Sequence, residues 1–224
     1  MLIRDWMTAN VVTAREDVSM LKVSKLLQEN RIRRVPVVDE NNKLVGIVTD
    51  KDIKEASPSK ANTLDIHELS YLLSELKIKD IMTKNPISVK PLDTIEQAAV
   101  IMLEKKFTGL PVVDDTNTVV GIITETDIFK IMIEISGVRL GGVQFALQLS
   151  EEPGTLPPVL DLIRENGGRL ISVLTGGYKD NDTMRDVFIR IRPMEKEDED
   201  ALIQKMISHY KVLYWVREKV HLVE

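Results

Sequence analysis

Between residues 95 and 103 the apolar side chains Ile95, Ala98, Ala99, Met102 and Leu103 fall at i, i+3, i+4, i+7 and i+8, the spacing of a helix with one buried face. Elsewhere the apolar runs are shorter. Val35-Pro36-Val37-Val38 and Leu44-Val45-Gly46-Ile47-Val48 are continuous and largely β-branched, which predicts strands buried on both faces. Asp39-Glu40-Asn41-Asn42 between them has turn composition.

These patterns occur twice. Residues 5–53 match residues 80–128 without a gap at a constant offset of 75. Asp5-Trp6-Met7-Thr8-Ala9-Asn10 corresponds to Asp80-Ile81-Met82-Thr83-Lys84-Asn85, and Val35-Pro36-Val37-Val38-Asp39 to Leu110-Pro111-Val112-Val113-Asp114. Val45-Gly46-Ile47-Val48-Thr49-Asp50-Lys51-Asp52-Ile53 corresponds to Val120-Gly121-Ile122-Ile123-Thr124-Glu125-Thr126-Asp127-Ile128. Each copy predicts strand, helix, strand, turn, strand, helix. A unit of about 50 residues buries too little surface to stand alone, so the copies should pack together as a pseudo-twofold pair. The excess between them predicts a helical connector, with a turn at Ala56-Ser57-Pro58-Ser59 and a helix from Asp65 to about Leu76.

Composition narrows the function. Apolar residues are 43% and charged residues 29% of 224, the balance of a globular protein with room for two domains. Thirty basic residues are interspersed among 35 acidic ones for a net charge of −5, so no cationic stripe points to nucleic acid. There is no cysteine, and His67, His209 and His221 lie far apart, which argues against disulfides, thiolate chemistry and a zinc centre. No run approaches a membrane span and the first residues do not read as a signal peptide, so the expected location is the cytoplasm. Asp39–Lys43 and Asp114–Asn117 resemble calcium loops faintly but lack the glycine and the closing Glu, and turn chemistry explains them.

The repeated Thr-x-x-Asp turns, Thr49 to Asp52 and Thr124 to Asp127, admit two readings. They have the form of a capping box, with Asp in the usual place of Glu or Gln. Equally, the hydroxyl and the helix N–H groups could face a phosphate while the Asp accepts from a ribose diol. Spacing alone leaves both open. As a whole, residues 1 to about 135 resemble the tandem cystathionine-β-synthase (CBS) domain family, whose paired modules form adenosine-nucleotide clefts. That resemblance implies contacts to phosphate and ribose from Thr49, Asp52, Thr124 and Asp127. It also implies a base pocket lined by Thr13, Arg34, Val35 and Pro36 in the first copy and by Ser88, Gly109, Leu110 and Pro111 in the second. For the prolines, a strand position that needs no donor is an equal reading. The first copy carries Arg33, Arg34 and Lys51 where the second has Thr108, Gly109 and Thr126, so a cleft built on Arg34, Thr49, Lys51 and Asp52 should favour a phosphate-bearing ligand.

From about Val138 the pattern becomes strand 143–149, helix 155–166, strand 170–175, strand 186–192, helix 195–209 and strand 212–216, a βαββαβ order. Ser150-Glu151-Glu152-Pro153-Gly154-Thr155-Leu156, with Asn166-Gly167-Gly168 after the helix, resembles the start of an ACT domain, a ferredoxin-like module that commonly binds amino acids. The usual Asp-x-Pro-Gly is Glu151-Glu152-Pro153-Gly154 here. Gly154 would admit a ligand to the backbone, and the N–H groups of Thr155 and Leu156 could hold a carboxylate; a plain turn is the other reading. Glu195–Asp200 reads as a solvated acidic helix start.

The expected architecture is therefore α/β (α+β). Residues 1–57 form CBS module 1, 58–79 a connector, 80–136 CBS module 2 and 137–224 a ferredoxin-like ACT domain. The combination resembles the acetoin utilization protein B group of bacterial regulators. It implies a regulatory homodimer that binds AMP, ADP, ATP or S-adenosylmethionine, with no catalytic cofactor, responds also to an amino acid, and controls a partner protein. The competing readings are an adaptor with empty clefts and an enzyme; against the latter, no Gly-x-Ser-x-Gly or Walker-type loop is present.

Overall fold

A computed structural model describes residues 1–57, 75–176, 183–217 and 220–222. The predicted connector helix from Asp65 lies almost wholly outside the described residues. The chain divides into two compact units, Met1–Ile128 and Phe129–Glu224.

In the first unit, strands β1 (Thr8–Ala9) and β2 (Ala14–Arg15) precede helix α1 (Met20–Glu29), strands β3 (Arg34–Val38) and β4 (Leu44–Thr49) and helix α2 (Asp50–Ala56). The second copy follows as a short helix α3 (Ile78–Ile81), β5 (Thr83–Lys84), α4 (Ile95–Lys105), β6 (Gly109–Val113), β7 (Val119–Thr124) and α5 (Glu125–Ser136), whose C-terminal part continues into the second unit. Two sheets result, with strand orders β2-β3-β4-β5 and β1-β7-β6.

Each copy lends its first strand to the other. β1 pairs antiparallel with β7, with Thr8 opposite Ile122 and Ala9 opposite Gly121. β5 pairs with β4 in the equivalent register, with Thr83 opposite Ile47 and Lys84 opposite Gly46. Replacing each residue by its counterpart in the other copy, 75 positions away, turns either pairing into the other. The glycines make this exchange possible, because a Cβ at Gly46 would overlap the Met82 sulfur and one at Gly121 the Met7 sulfur. Lys43 bridges its own counterpart Thr118 and donates from Nζ to the Thr118 hydroxyl at 3.0 Å, which places the pseudo-twofold axis there. The backbone obeys the same repeat. Asn10 and Asn85, Arg31 and Lys106, and Asn42 and Asn117 all have positive φ between 48° and 63°. Arg15 and Lys90 each donate to the carbonyl of the turn aspartate, Asp39 and Asp114.

The helix predicted from Ile95 is present, but its buried stripe is narrower than the spacing suggests. Ile95, Ala98 and Met102 are buried while Leu103 is 82% exposed. The strand over 44–48 is likewise not buried on both faces: Leu44, Gly46 and Val48 are buried and alternate with half-buried Val45, Ile47 and Thr49. The core of the first copy joins Met20, Val23 and Leu27 of α1 to Val35, Val37 and Val48, with Ile53 and Ile78 closing its ends.

Both Thr-x-x-Asp turns form capping boxes. The Asp52 N–H donates to the Thr49 hydroxyl oxygen at 3.3 Å, and the Thr49 N–H and Oγ1–H each donate to Asp52 Oδ2 at 2.7 Å. In the second copy the Asp127 N–H meets Thr124 Oγ1 at 3.4 Å, while the Thr124 N–H and Oγ1–H donate to Asp127 Oδ2 at 3.1 and 2.7 Å.

In the second unit β8 (Gln144–Ser150), α6 (Pro157–Glu165), β9 (Leu170–Gly176), β10 (Met184–Ile191), α7 (Lys196–His209) and β11 (Val212–Val216) follow the expected βαββαβ order, and β12 (Val220–Leu222) adds a strand that the pattern does not predict. The antiparallel sheet runs β12-β11-β8-β10-β9. Helices α6 and α7 close one face through Val159, Ile163, Leu202 and Met206 against Phe145, Leu147, Val187 and Ile189. The acidic start of α7 is not uniformly solvated: Glu199 is buried and ion-paired with Arg217, which also reaches Asp200 at 3.1 Å.

Gly121→Val should crowd the exchanged strand and destabilise the protein by about 1–3 kcal/mol, read as a lower thermal midpoint of the full chain. Thr49→Val and Thr124→Val should each cost about 1 kcal/mol through loss of the cap. Matching losses in chemical denaturation would show that the two turns contribute alike.

Candidate functional site

The residues singled out in the first copy gather at one end of its sheet. Arg34 begins β3 and lies opposite Thr49, which ends β4 and caps α2; Gly109 lies opposite Thr124 in the same way. Parallel pairing with β3 starts at Ala14 opposite Val37, so Thr13 lies one residue before the ladder, beside Pro36. In the second copy Val89 bridges Val112, its N–H donating to the Pro111 carbonyl at 3.0 Å. The N–H and C=O of one strand residue point the same way. A donor at 111 would therefore face the incoming segment around Ile87, and proline removes it. Pairing consequently stops at Val89, and Ser88 is released from the sheet. The architectural reading of the proline accounts for this geometry: it occupies a strand position that needs no donor.

Val35 and Leu110 are 0% and 1% exposed, so neither residue reaches the surface. Thr13 is exposed and Ser88 half-buried. Every bond of the Thr49–Asp52 cap to the carboxylate uses Oδ2, so a cap and a ribose diol can share that side chain. Asp127 is buried to 9% exposure.

The cations are not placed as the first-copy cleft would require. The Lys51 ammonium lies 3.5 Å from Glu55, one turn along the same helix, and its side chain is 78% exposed. The Arg34 guanidinium crosses to the second copy, where it donates to Thr108 Oγ1 and lies over Gly109, on the spot that a Cβ would occupy. Burial lowers the Arg34 pKa from its ordinary value; the Glu125 and Asp50 carboxylates raise it, and Arg33 lowers it. Asp50 and Glu125 are equivalent residues, each following its capping threonine. Their role as flanking charges for Arg34 was missed from sequence, where the signal was the opposition of Arg34 and Gly109 at equivalent positions.

In the second unit the helix begins at Pro157, not Thr155, because Leu156 acts as the N-cap and prolines occupy the first two helical positions. Those prolines carry no N–H and so remove two of the donors that an anion site would use. Thr155 closes the preceding loop by donating from Oγ1 to the Ser150 carbonyl at 2.9 Å and accepts from Arg185 Nη2 at 3.5 Å. Gly154 has φ 87°, and nothing lies within 4 Å of where its Cβ would be. Glu151 Oε1 and Arg185 Nε are buried atoms without a hydrogen-bond partner.

Among the described residues no helix is long and apolar enough to cross a membrane, and no group of three or more His, Asp or Glu residues is placed to hold a metal ion.

Comparison with known proteins follows the repeat. The CBS domain family model matches residues 3–59 and 78–134. An L-aspartate semialdehyde sulfurtransferase of Methanocaldococcus jannaschii is 33% identical over 130 residues, which are 58% of this chain but 23% of that protein, so the chain spans less than a quarter of that relative's length. Among solved structures, the CBS domain pair of protein MJ0100 in complex with 5′-methylthioadenosine and S-adenosyl-L-methionine is 32% identical, covers 59% of this chain and 95% of that one, and has a TM-score of 0.50. CBSX2 of Arabidopsis thaliana in complex with AMP is 32% identical over 60% of this chain and 97% of that one, at a TM-score of 0.50. An acetoin utilization protein from Vibrio cholerae is 30% identical over 62% of this chain and 95% of that one, at 0.51. With half of its residues matched by the family model in two blocks that coincide with the exchanged modules, this chain belongs to the CBS domain family.

Proposed function

We propose that this protein is a regulatory ligand sensor whose CBS pair binds an adenosine-containing nucleotide, AMP, ADP, ATP or S-adenosylmethionine, and passes the bound state on to a partner protein. One observation carries the reading. At the same end of each sheet a capped Thr-Asp turn lies opposite the start of a strand whose proline stops the neighbouring segment from pairing. Such a gap offers hydroxyl and carboxylate groups beside backbone released from the ladder, which suits a ribose and a flat base. The adenosine ligands held by the MJ0100 pair and by CBSX2 support the same class. Thr49 and Asp52, and Thr124 and Asp127, are assigned to phosphate and ribose, and the segments at Thr13, Arg34, Val35 and Pro36 and at Ser88, Gly109, Leu110 and Pro111 to the base. Binding without turnover is favoured over catalysis. The L-aspartate semialdehyde sulfurtransferase that resembles this chain is matched over less than a quarter of its length.

For the C-terminal unit we assign an ACT-like role. The open face at Gly154 and the unpartnered Glu151 and Arg185 atoms beside Thr155 support a zwitterionic amino acid, the carboxylate against the guanidinium and the ammonium against Glu151. A cytoplasmic homodimer of the acetoin utilization group completes the proposal; the likeness to the Vibrio cholerae protein supports the group alone. The adaptor reading draws on one specific observation, that both turns are satisfied as caps without any ligand.

Thermal denaturation with AMP, ADP, ATP and S-adenosylmethionine separates the two readings. At a hundred times its dissociation constant a bound nucleotide adds about 2.7 kcal/mol, which raises the midpoint by roughly 5–10 °C for a chain of this size. Asp52→Ala and Asp127→Ala should abolish most of that shift. An unchanged midpoint with all four compounds establishes the adaptor, and full nucleotide affinity in both variants overturns the ribose assignment. The same measurement with an amino-acid panel tests the C-terminal unit.

A further inference from the structure

The two copies are equivalent at positions 34 and 109, yet one holds Arg and the other Gly. Their geometry explains why both cannot be arginine. The Arg34 guanidinium lies over Gly109, with Nη1 2.6 Å and Cζ 3.1 Å from the position of an added Cβ, so a side chain at 109 would displace it. It is anchored on the Thr108 hydroxyl, the residue before Gly109, and Gly109 in turn lies opposite Thr124. Its own Cα lies opposite Thr49. The group thus starts from one Thr-Asp turn and ends beside the strand that faces the other.

Its surroundings are balanced to match. Asp50 and Glu125, which follow the two capping threonines, both act on Arg34 electrostatically, and burial of the guanidinium opposes its charge. The Lys51 ammonium pairs with Glu55 along α2, and the nearby Arg33 acts electrostatically on both Asp50 and Arg34. The second copy has Thr126 in place of Lys51.

We infer that the Arg34 guanidinium is shared by the two clefts, so that the pair takes one phosphate-bearing nucleotide tightly per chain, not two. This rests on the nucleotide reading above and adds a stoichiometry and a selectivity to it. Two phosphates compete for the Arg34 guanidinium, and the cleft that loses the competition keeps its hydroxyl and carboxylate groups without that countercharge. A charge-assisted hydrogen bond contributes about 1.5–3 kcal/mol, so the affinities of the two clefts for the same anionic nucleotide should differ about 10- to 100-fold.

Calorimetric titration of the full chain with ATP and, separately, with adenosine tests this. The expected result is one tight ATP per chain with a second event at least about tenfold weaker, while adenosine lacks that separation. Arg34→Gln should weaken the tight ATP event by about 10- to 100-fold and leave adenosine within about twofold, and Arg34→Lys should keep most of the preference for ATP. A residue that only ties the copies together would affect both ligands equally. Two ATP sites of equal affinity in the unmodified protein, or equal losses for ATP and adenosine in Arg34→Gln at an unchanged circular dichroism spectrum, overturn the inference. If Arg34→Gln does not fold, loss of the ATP preference in Arg34→Lys overturns it and retention supports it. Failure of the unmodified protein to bind either ligand overturns the nucleotide reading, and this inference with it.

Discussion

The exchange of β1 and β5 between the copies is the constraint on which the rest of the first unit depends. Each sheet is completed by a strand that belongs to the other copy, so neither module has its full complement of strands without its partner. A two-residue strand contributes few hydrogen bonds. Its weight comes from what it carries, because Met7 and Met82 lie against Gly121 and Gly46 of the sheet they join. Glycine in a strand weakens it locally, and here that loss is offset by the close approach of a large apolar side chain from the other module.

Exchange also determines where the candidate clefts can be. With β1 and β5 outside, β3 and β6 have their other edge toward the segments at Thr13 and Ser88, and proline at 36 and 111 limits that pairing. The opening lies next to the capping turns because β3 and β4 are antiparallel: the start of one is beside the end of the other. Proline, capping threonine and aspartate are thereby brought to the same end of the sheet by register alone. Capping and ligand contact are compatible uses of the same residues, since the cap engages one carboxylate oxygen of Asp52.

The pseudo-twofold pair is symmetric in backbone and asymmetric in charge. Positive φ at three pairs of equivalent residues, paired caps and paired turn carbonyl contacts all repeat at the same offset. Near the turns the repeat breaks. Arg34 takes the space that Gly109 leaves, so only one of the two equivalent positions can be cationic. The second unit, by contrast, holds unpartnered buried polar atoms of Glu151, Arg185 and Arg190, the two arginines on β10.

Much of this was legible in the sequence because it depends on residues within a few positions of each other. The Thr-x-x-Asp spacing specifies a cap, asparagine tolerates the left-handed turns, the 3.6 periodicity marks α4, and continuous β-branched runs mark the strands β3 and β4. Constant offset over three blocks identified a paired architecture. Burial was less legible: the pattern that includes Leu103 describes a helix face wider than the one the sheet covers. The strand exchange was not readable at all. A repeat makes the choice degenerate, since Met7-Thr8-Ala9 meets the same apolar and glycine sequence in β4 as in β7, and only the three-dimensional path of the chain distinguishes them. Arg34 and Lys51 were indistinguishable for the same reason, as two cations near one motif. Long side chains reach several ångströms from their backbone, and it is the tertiary packing that sends Arg34 across to Thr108 and Gly109 and Lys51 back along its own helix.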